Sequence, residues 1–206
     1  MNTNTLPQPE TLEAALNQAE ACNEREDRAG AIQALEQALE LGDRHPVLLR
    51  ALATQQFLMA QHREARALFQ EFTSVCPNDA TGHVQHGLAA FHAGDEEACT
   101  AALQQALILE PNHPEALKLL ADLDVLAERY VEARSKYDQV AELGGITAEA
   151  LQALAFCQYK TGEMERAQNT YKQLLAFDPE NELTNHNLNV IETTLRENLS
   201  APAKAD

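Results

Sequence analysis

A chain of 206 residues with 45% apolar content is long enough to bury a sizeable core as one or two domains. Its formal charge of −17, from 32 acidic against 15 basic side chains, repels phosphate backbones and anionic lipid, which excludes nucleic acid and membrane surfaces as partners. With aromatics at 5%, no Trp, and abundant Leu, Ala, Glu and Gln, the composition points to helices packed through small and aliphatic side chains rather than to a sheet.

The first stretch, MNTNTLPQPE, has neither a basic leader nor an apolar run, and no later segment approaches the roughly 20 apolar residues that span a bilayer. The expectation is a soluble, cytoplasmic chain whose residues 1–11 are disordered. Cys22, Cys76, Cys99 and Cys157 are far apart and form no C-x-x-C, so they read as small buried hydrophobes in a reducing compartment.

From residue 12 the chain reads as helix pairs repeating every 34 residues, in five units without insertion: 12–45, 46–79, 80–113, 114–147 and 148–181. Helix-ending slots hold Pro77, Pro111 and Pro179, or glycine at Gly42 and Gly144-Gly145, while Pro46 and Pro114 open the next helix, each preceded by histidine. Unit position 8 carries Ala19, Ala53, Gly87, Ala121 and Ala155, and position 20 carries Ala31, Ala65, Cys99, Ala133 and Ala167. Small residues on both helices let the axes approach closely, and position 24 supplies a large knob: Leu35, Phe69, Leu103, Tyr137 and Tyr171. Gly94-Asp95 and Gly162-Glu163 mark turns within the hairpins. Beyond the fifth unit, Leu188, Ile191, Leu195 and Leu199 recur at helical spacing, which predicts a solvating cap helix over 182–199, followed by a disordered tail, 200–206.

These positions resemble the tetratricopeptide repeat family, whose 34-residue unit has small residues at 8, 20 and 27, a large one at 24 and proline at 32. The resemblance covers 170 of 206 residues and implies an all-α fold, a right-handed solenoid of antiparallel helix hairpins. The chain departs from the pattern at position 4, with Ala15 and His83, and at position 27, with Phe72, Val140 and Leu174.

Chemistry is sparse. His83 and His86 lie three apart on one helix with Cys99 on its partner, a spacing that can begin a metal site, but no further ligand completes it and all three fall in packing slots. Phosphate-binding, dinucleotide and hydrolase motifs are missing, and carboxylate pairs such as Glu96-Glu97 read as solvated surface. No enzyme activity, metal or cofactor is expected.

The resemblance further implies that the first helix of each unit lines a concave face where peptides bind, through positions 2, 5, 6, 9, 12 and 13. A subclass that clamps a terminal carboxylate needs Asn at position 9, where this chain has Glu20, Thr54, Leu88, Asp122 and Phe156. That clamp is therefore disfavoured, although Arg50 and Lys118 remain able to neutralise an isolated acid. The inward set is otherwise an apolar strip of Phe57, Leu58, Val84, Leu88, Phe91, Val125, Leu126, Phe156 and Tyr159, interrupted by Thr54 and rimmed by Glu20, Asp122 and Glu149. Such a strip suits an apolar or amphipathic segment of a protein partner that carries basic residues, which predicts a protein-binding adaptor or chaperone-like module. The alternative is an assembly scaffold that pairs with itself, as a homo-oligomer, or with an enzyme through convex or terminal surfaces.

Overall fold

The computed structural model describes residues 12–40, 44–144 and 146–200, with side chains through 197; the expectations for residues 1–11, Gly42, Gly145, the Leu199 side chain and residues 201–206 lie outside the described part. Eleven helices and no strand occur among the described residues. First helices of the hairpins are α1 (Leu12–Asn23), α3 (Pro46–Leu58), α5 (Ala80–His92), α7 (Pro114–Leu126) and α9 (Ala148–Lys160). Second helices are α2 (Arg28–Glu40), α4 (His62–Val75), α6 (Glu96–Leu109), α8 (Tyr130–Glu142) and α10 (Met164–Phe177), and α11 (Glu182–Ser200) follows. Both sets start at intervals of 34 residues, and α11 begins where a sixth first helix would. None of the described helices is long and apolar enough to cross a membrane.

The punctuation has a local chemical cause. Pro46 and Pro114 occupy the first turn, where a missing N–H costs nothing, and the preceding His45 and His113 accept from the amides of Val47 (3.3 Å) and Ala116 (3.5 Å). Where proline is absent, Asp79, Thr147 and Asn181 take the capping role, accepting from Gly82, Ala150 and Thr184. Each hairpin turns through a left-handed residue at unit position 15: Glu26, Ala60, Gly94, Glu128 and Gly162, with φ between 57° and 83°. Glycine marks only two of these turns in the sequence. At the other three an L side chain tolerates a conformation that glycine adopts freely.

The helices form two compact units that divide between Pro111 and Asn112. In the first, α1/α2, α3/α4 and α5/α6 are hairpins, with α2 packed on α3 and α4 on α5. Ala15, Ala19, Cys22, Ala31, Leu35, Leu48 and Leu52 share one cluster, and Ala53, Ala65, Phe69 and Ala89 another. The oversized Phe72 at position 27 is accommodated by Gly82 on α5, where a Cβ would come within 2.3 Å of the Phe72 ring.

In the second unit, α7/α8 and α9/α10 are hairpins, with α8 on α9 and α10 on α11. Ala121, Ala133, Tyr137, Ala150, Leu154 and Cys157 form one cluster; Ala155, Ala167, Tyr171, Leu174 and Ile191 form the other. Leu188 and Leu195 pack beside Ile191, which is 1% exposed, so α11 covers the flank of the last hairpin. Its position-4, -8, -11 and -15 residues, Asn185, Asn189, Glu192 and Arg196, are polar and partly or fully exposed.

Candidate functional site

In the first unit, Val47, Ala51, Thr54 and Leu58 follow one another along α3, one residue per helical turn; Ala51 also packs against the core, and Leu58 is 53% exposed. Pro46, Val47, Arg50, Ala51, Thr54, Gln55 and Phe72 line a recess of about 560 Å³, completed by Cys76 and Asp79. Arg50 is committed inside it: its guanidinium donates to Asp79 at 2.7 Å and lies 4.5 Å over the Phe72 ring. It is therefore not the free neutraliser of an incoming acid that its sequence position suggests.

Phe57 is half-buried and packs against the Ala53 cluster, and it meets the half-buried His62 ring edge-on at 5.1 Å and the His92 ring at 5.4 Å. The two imidazoles stack at 4.9 Å, and Phe91, 36% exposed, joins His92. Leu88 is half-buried on the same helix. Val84 is a correction: at 1% exposure it belongs to the core and cannot line a surface. Arg50 and Lys118 share its repeat position, but their long stems carry a charged head outward, whereas a short branched side chain stops within the packing.

The second unit is more polar. Lys118 donates to Asp122 at 2.8 Å, and the buried Tyr137 hydroxyl donates to the other Asp122 oxygen. Burial, reinforced by that carboxylate, pushes the Tyr137 hydroxyl well above the ordinary phenol range, so it stays a donor. Lys118 and Asp122 are thus partners of each other and of the core, not open rim charges. Beneath them Asp124, almost buried, accepts from Arg129 at 2.8 Å and Lys136 at 2.6 Å. Val125 packs partly into the Tyr137 cluster. Phe156 and Tyr159 line a cavity of about 80 Å³ together with Tyr171, Asn187, Val190 and Ile191. Lys160 lies over the rings of Phe156 (5.4 Å) and Tyr130 (5.6 Å).

Sequence reasoning did not single out His62, His92, Tyr130, Lys160, Asn187 or Val190. His92 and Lys160 stood at position 13 of the inward set but were passed over by a filter for apolar character, and His62 and Tyr130 open second helices, outside the set altogether. The histidine–cysteine cluster is dispersed: His83 contacts the Pro77 carbonyl at 3.0 Å, burial lowers His86 to about 4, and burial raises the Cys99 thiol to about 11. No group of three or more His, Cys, Asp or Glu side chains converges on a metal position among the described residues.

Residues 124–184 match the family model of the tetratricopeptide repeat. Over 148 residues the chain is 25% identical to cellulose synthase 1 operon protein C of Komagataeibacter xylinus, covering 66% of this chain and 11% of that protein; it spans about a tenth of that relative's length. Among solved structures, MamA has a TM-score of 0.72 at 18% identity, covering 80% of this chain and 90% of its own. PilF of Pseudomonas aeruginosa has a TM-score of 0.74 at 19% identity, covering 90% and 83%. The 34-residue helix pairs, the small buried slots and the family match over residues 124–184 agree on one fold, that of the tetratricopeptide repeat.

Proposed function

We propose that the outward faces of the first helices capture an apolar or amphipathic segment of a protein partner, making the chain an adaptor or chaperone-like module. The fold itself is that of a protein–protein interaction module. The observation that carries the finer reading is the accessible apolar surface on those faces, with Leu58 and Phe91 exposed, Phe57, Leu88 and Phe156 half-buried, and the 560 Å³ recess beside α3. Arg50 and Lys118, which stand there, are both internally paired, so neither neutralises an incoming acid.

The test is the double variant Leu88→Asp, Phe156→Asp. Each change removes an anchor worth about 2 kcal/mol and weakens capture by its own unit roughly thirtyfold, while half-exposed positions leave melting nearly unchanged. Pull-down from source cells, with this variant as the control, reads the loss. Partners retained by a folded double variant would move recognition elsewhere. The second reading then takes over: Ile108 and Phe177, 72% and 81% exposed on second helices, suit an assembly scaffold, which concentration-dependent mass in light scattering would reveal.

A further inference from the structure

The two units contain the same small construction, built from different residues. Unit position 17 opens the second helix of one hairpin, and position 13 closes the first helix of the next. In the first unit these are His62 and His92, stacked at 4.9 Å with Phe57 edge-on to both. In the second they are Tyr130 and Lys160, and Phe156 meets the Tyr130 ring at 5.7 Å and 83°. In both units the position-13 head group of one hairpin therefore lies against the position-17 ring of the hairpin before it.

Lys160 makes the second construction informative. Lys118, Lys136 and Lys172 pair with Asp122, Asp124 and Glu192, whereas no described carboxylate pairs with Lys160. In a chain with 32 acidic side chains, its ammonium instead lies 5.4 Å and 5.6 Å from the centres of two rings set edge to face. Two ring faces within about 6 Å of one cation attract it through their quadrupoles. The contact is on an exposed side chain, so it is readily exchanged: an exposed cation–π contact favours the closed arrangement only by roughly two- to fivefold. Phe156 also borders the 80 Å³ cavity with Tyr159, Asn187 and Val190, so a side chain arriving beside it has an apolar neighbour position to fill.

We propose that the Tyr130–Phe156 ring pair is a seat for a lysine or arginine side chain of the captured partner segment, occupied in the free protein by Lys160 as an internal stand-in. This rests on the recognition reading above and adds to it the charge of the partner at one defined place. The −17 net charge draws cationic segments toward the molecule, and the ring pair gives one of their head groups a specific position. Withdrawal of Lys160 opens the seat, and the displaced ammonium moves into solvent.

The experiment uses the full chain with carbon-13-labelled aromatic rings and a 14-residue amphipathic helix made of Leu and Lys, beside the same peptide with Glu for Lys. Lys160→Gln should bind the Leu/Lys peptide roughly two- to fivefold tighter than the parent, with the Tyr130 and Phe156 ring signals shifting as it binds. Lys172→Gln makes the same change in net charge elsewhere and should give no such gain. Adding Tyr130→Leu to Lys160→Gln should cancel the gain, with a far-ultraviolet melt confirming the fold. A gain shared by Lys172→Gln, a gain that survives Tyr130→Leu, or equal binding of the Glu peptide would overturn the seat. If peptide binding falls with Leu126→Asp, on the exposed face of the same unit, but ignores Lys160→Gln, the seat alone fails. If it ignores Leu126→Asp and Phe156→Asp together, the recognition face of this unit fails and takes the seat with it.

Discussion

The two units use the same repeat frame with different interior chemistry. At position 24 the first unit buries Leu35, Phe69 and Leu103, which need nothing beyond packing. The second buries Tyr137 and Tyr171, and each hydroxyl must find a partner. Tyr137 donates to Asp122 on α7, and Asn187 on α11 donates to the Tyr171 oxygen at 3.4 Å. At position 11 the contrast repeats, with Gln56 and Ala90 against Asp124 and Gln158. In the first unit the charged pairs stay near the surface, as between Arg66 and Asp95 at 2.5 Å or Arg44 and Glu71. In the second, hydrogen bonds run from the outward face into the core, so residues that look like ligands of a partner are already ligands of the fold.

The largest expected effect tests how far the second unit depends on its last helix. Removing residues 182–206 exposes the surface met by Ile191, Leu188 and Leu195, at a cost of roughly 4 kcal/mol, and should cause association. Hydrogen exchange in α9 and α10 would report it; unaltered protection there would mean that α11 is not a cap.

Asp124→Ala probes the polar interior directly. It leaves Arg129 and Lys136 without their shared carboxylate and should cost about 3 kcal/mol. Gln56→Ala at the equivalent position of the first unit should cost about 1 kcal/mol, since its buried carbonyl oxygen has no partner to lose. Equal losses on urea denaturation would erase the contrast. Packing, by comparison, should be shared: Ala65→Leu and Ala133→Leu, both in fully buried slots, should each cost roughly 2 kcal/mol. Unequal values would place the difference between the units in their helix spacing and not in their polar groups.

The smallest effect concerns pH, and the units should weaken at opposite ends. His86, in the first, has a folded pKa lowered from 6.5 to about 4 by burial and by the nearby Arg66 and His83 charges, with Asp95 opposing. Between those values the unfolded chain binds a proton that the folded one does not, so stability falls as pH drops from 6.5 towards 4, by about 1 kcal/mol after screening. His86→Gln should flatten that slope. In the second unit Tyr171 is raised from 10.0 to about 12 by burial, so its contribution is present below pH 10 and fades as pH rises through 12. Residue-resolved exchange at both extremes would separate the two.

The repeat was legible because it is written in residues whose backbone or size is decisive: prolines at helix starts and ends, and alanines where axes cross. The cap helix was legible from periodicity alone. The hairpin turns at Glu26, Ala60 and Glu128 were not, because their left-handed backbone is imposed by the helices on either side rather than by glycine. On the first helices, sequence position carried little information about which side chains are available. Leu58 and Phe91 are exposed and Phe57, Leu88 and Phe156 half-buried, but Val84 is core, Arg50 is engaged by Asp79 and Phe72, and Asp122 by Lys118 and Tyr137. Asp79, Phe72 and Tyr137 lie outside the helix of the residue they engage, and a periodic pattern within one helix carries no information about them.

The polar stripe on α11 sets the direction in which this architecture can grow. In the other hairpins the first helix offers small or interior residues at positions 8 and 11 to the helix that folds back on it, whereas α11 offers Asn189 and Glu192. A returning helix laid there would have to strip water from the Asn189 amide and crowd a Glu192 carboxylate already held by Gln168, Lys172 and Arg196. A designer lengthening the array by one unit should therefore splice the new 34 residues in ahead of Glu182, where every neighbour is built to be covered, and leave the last helix as the terminus.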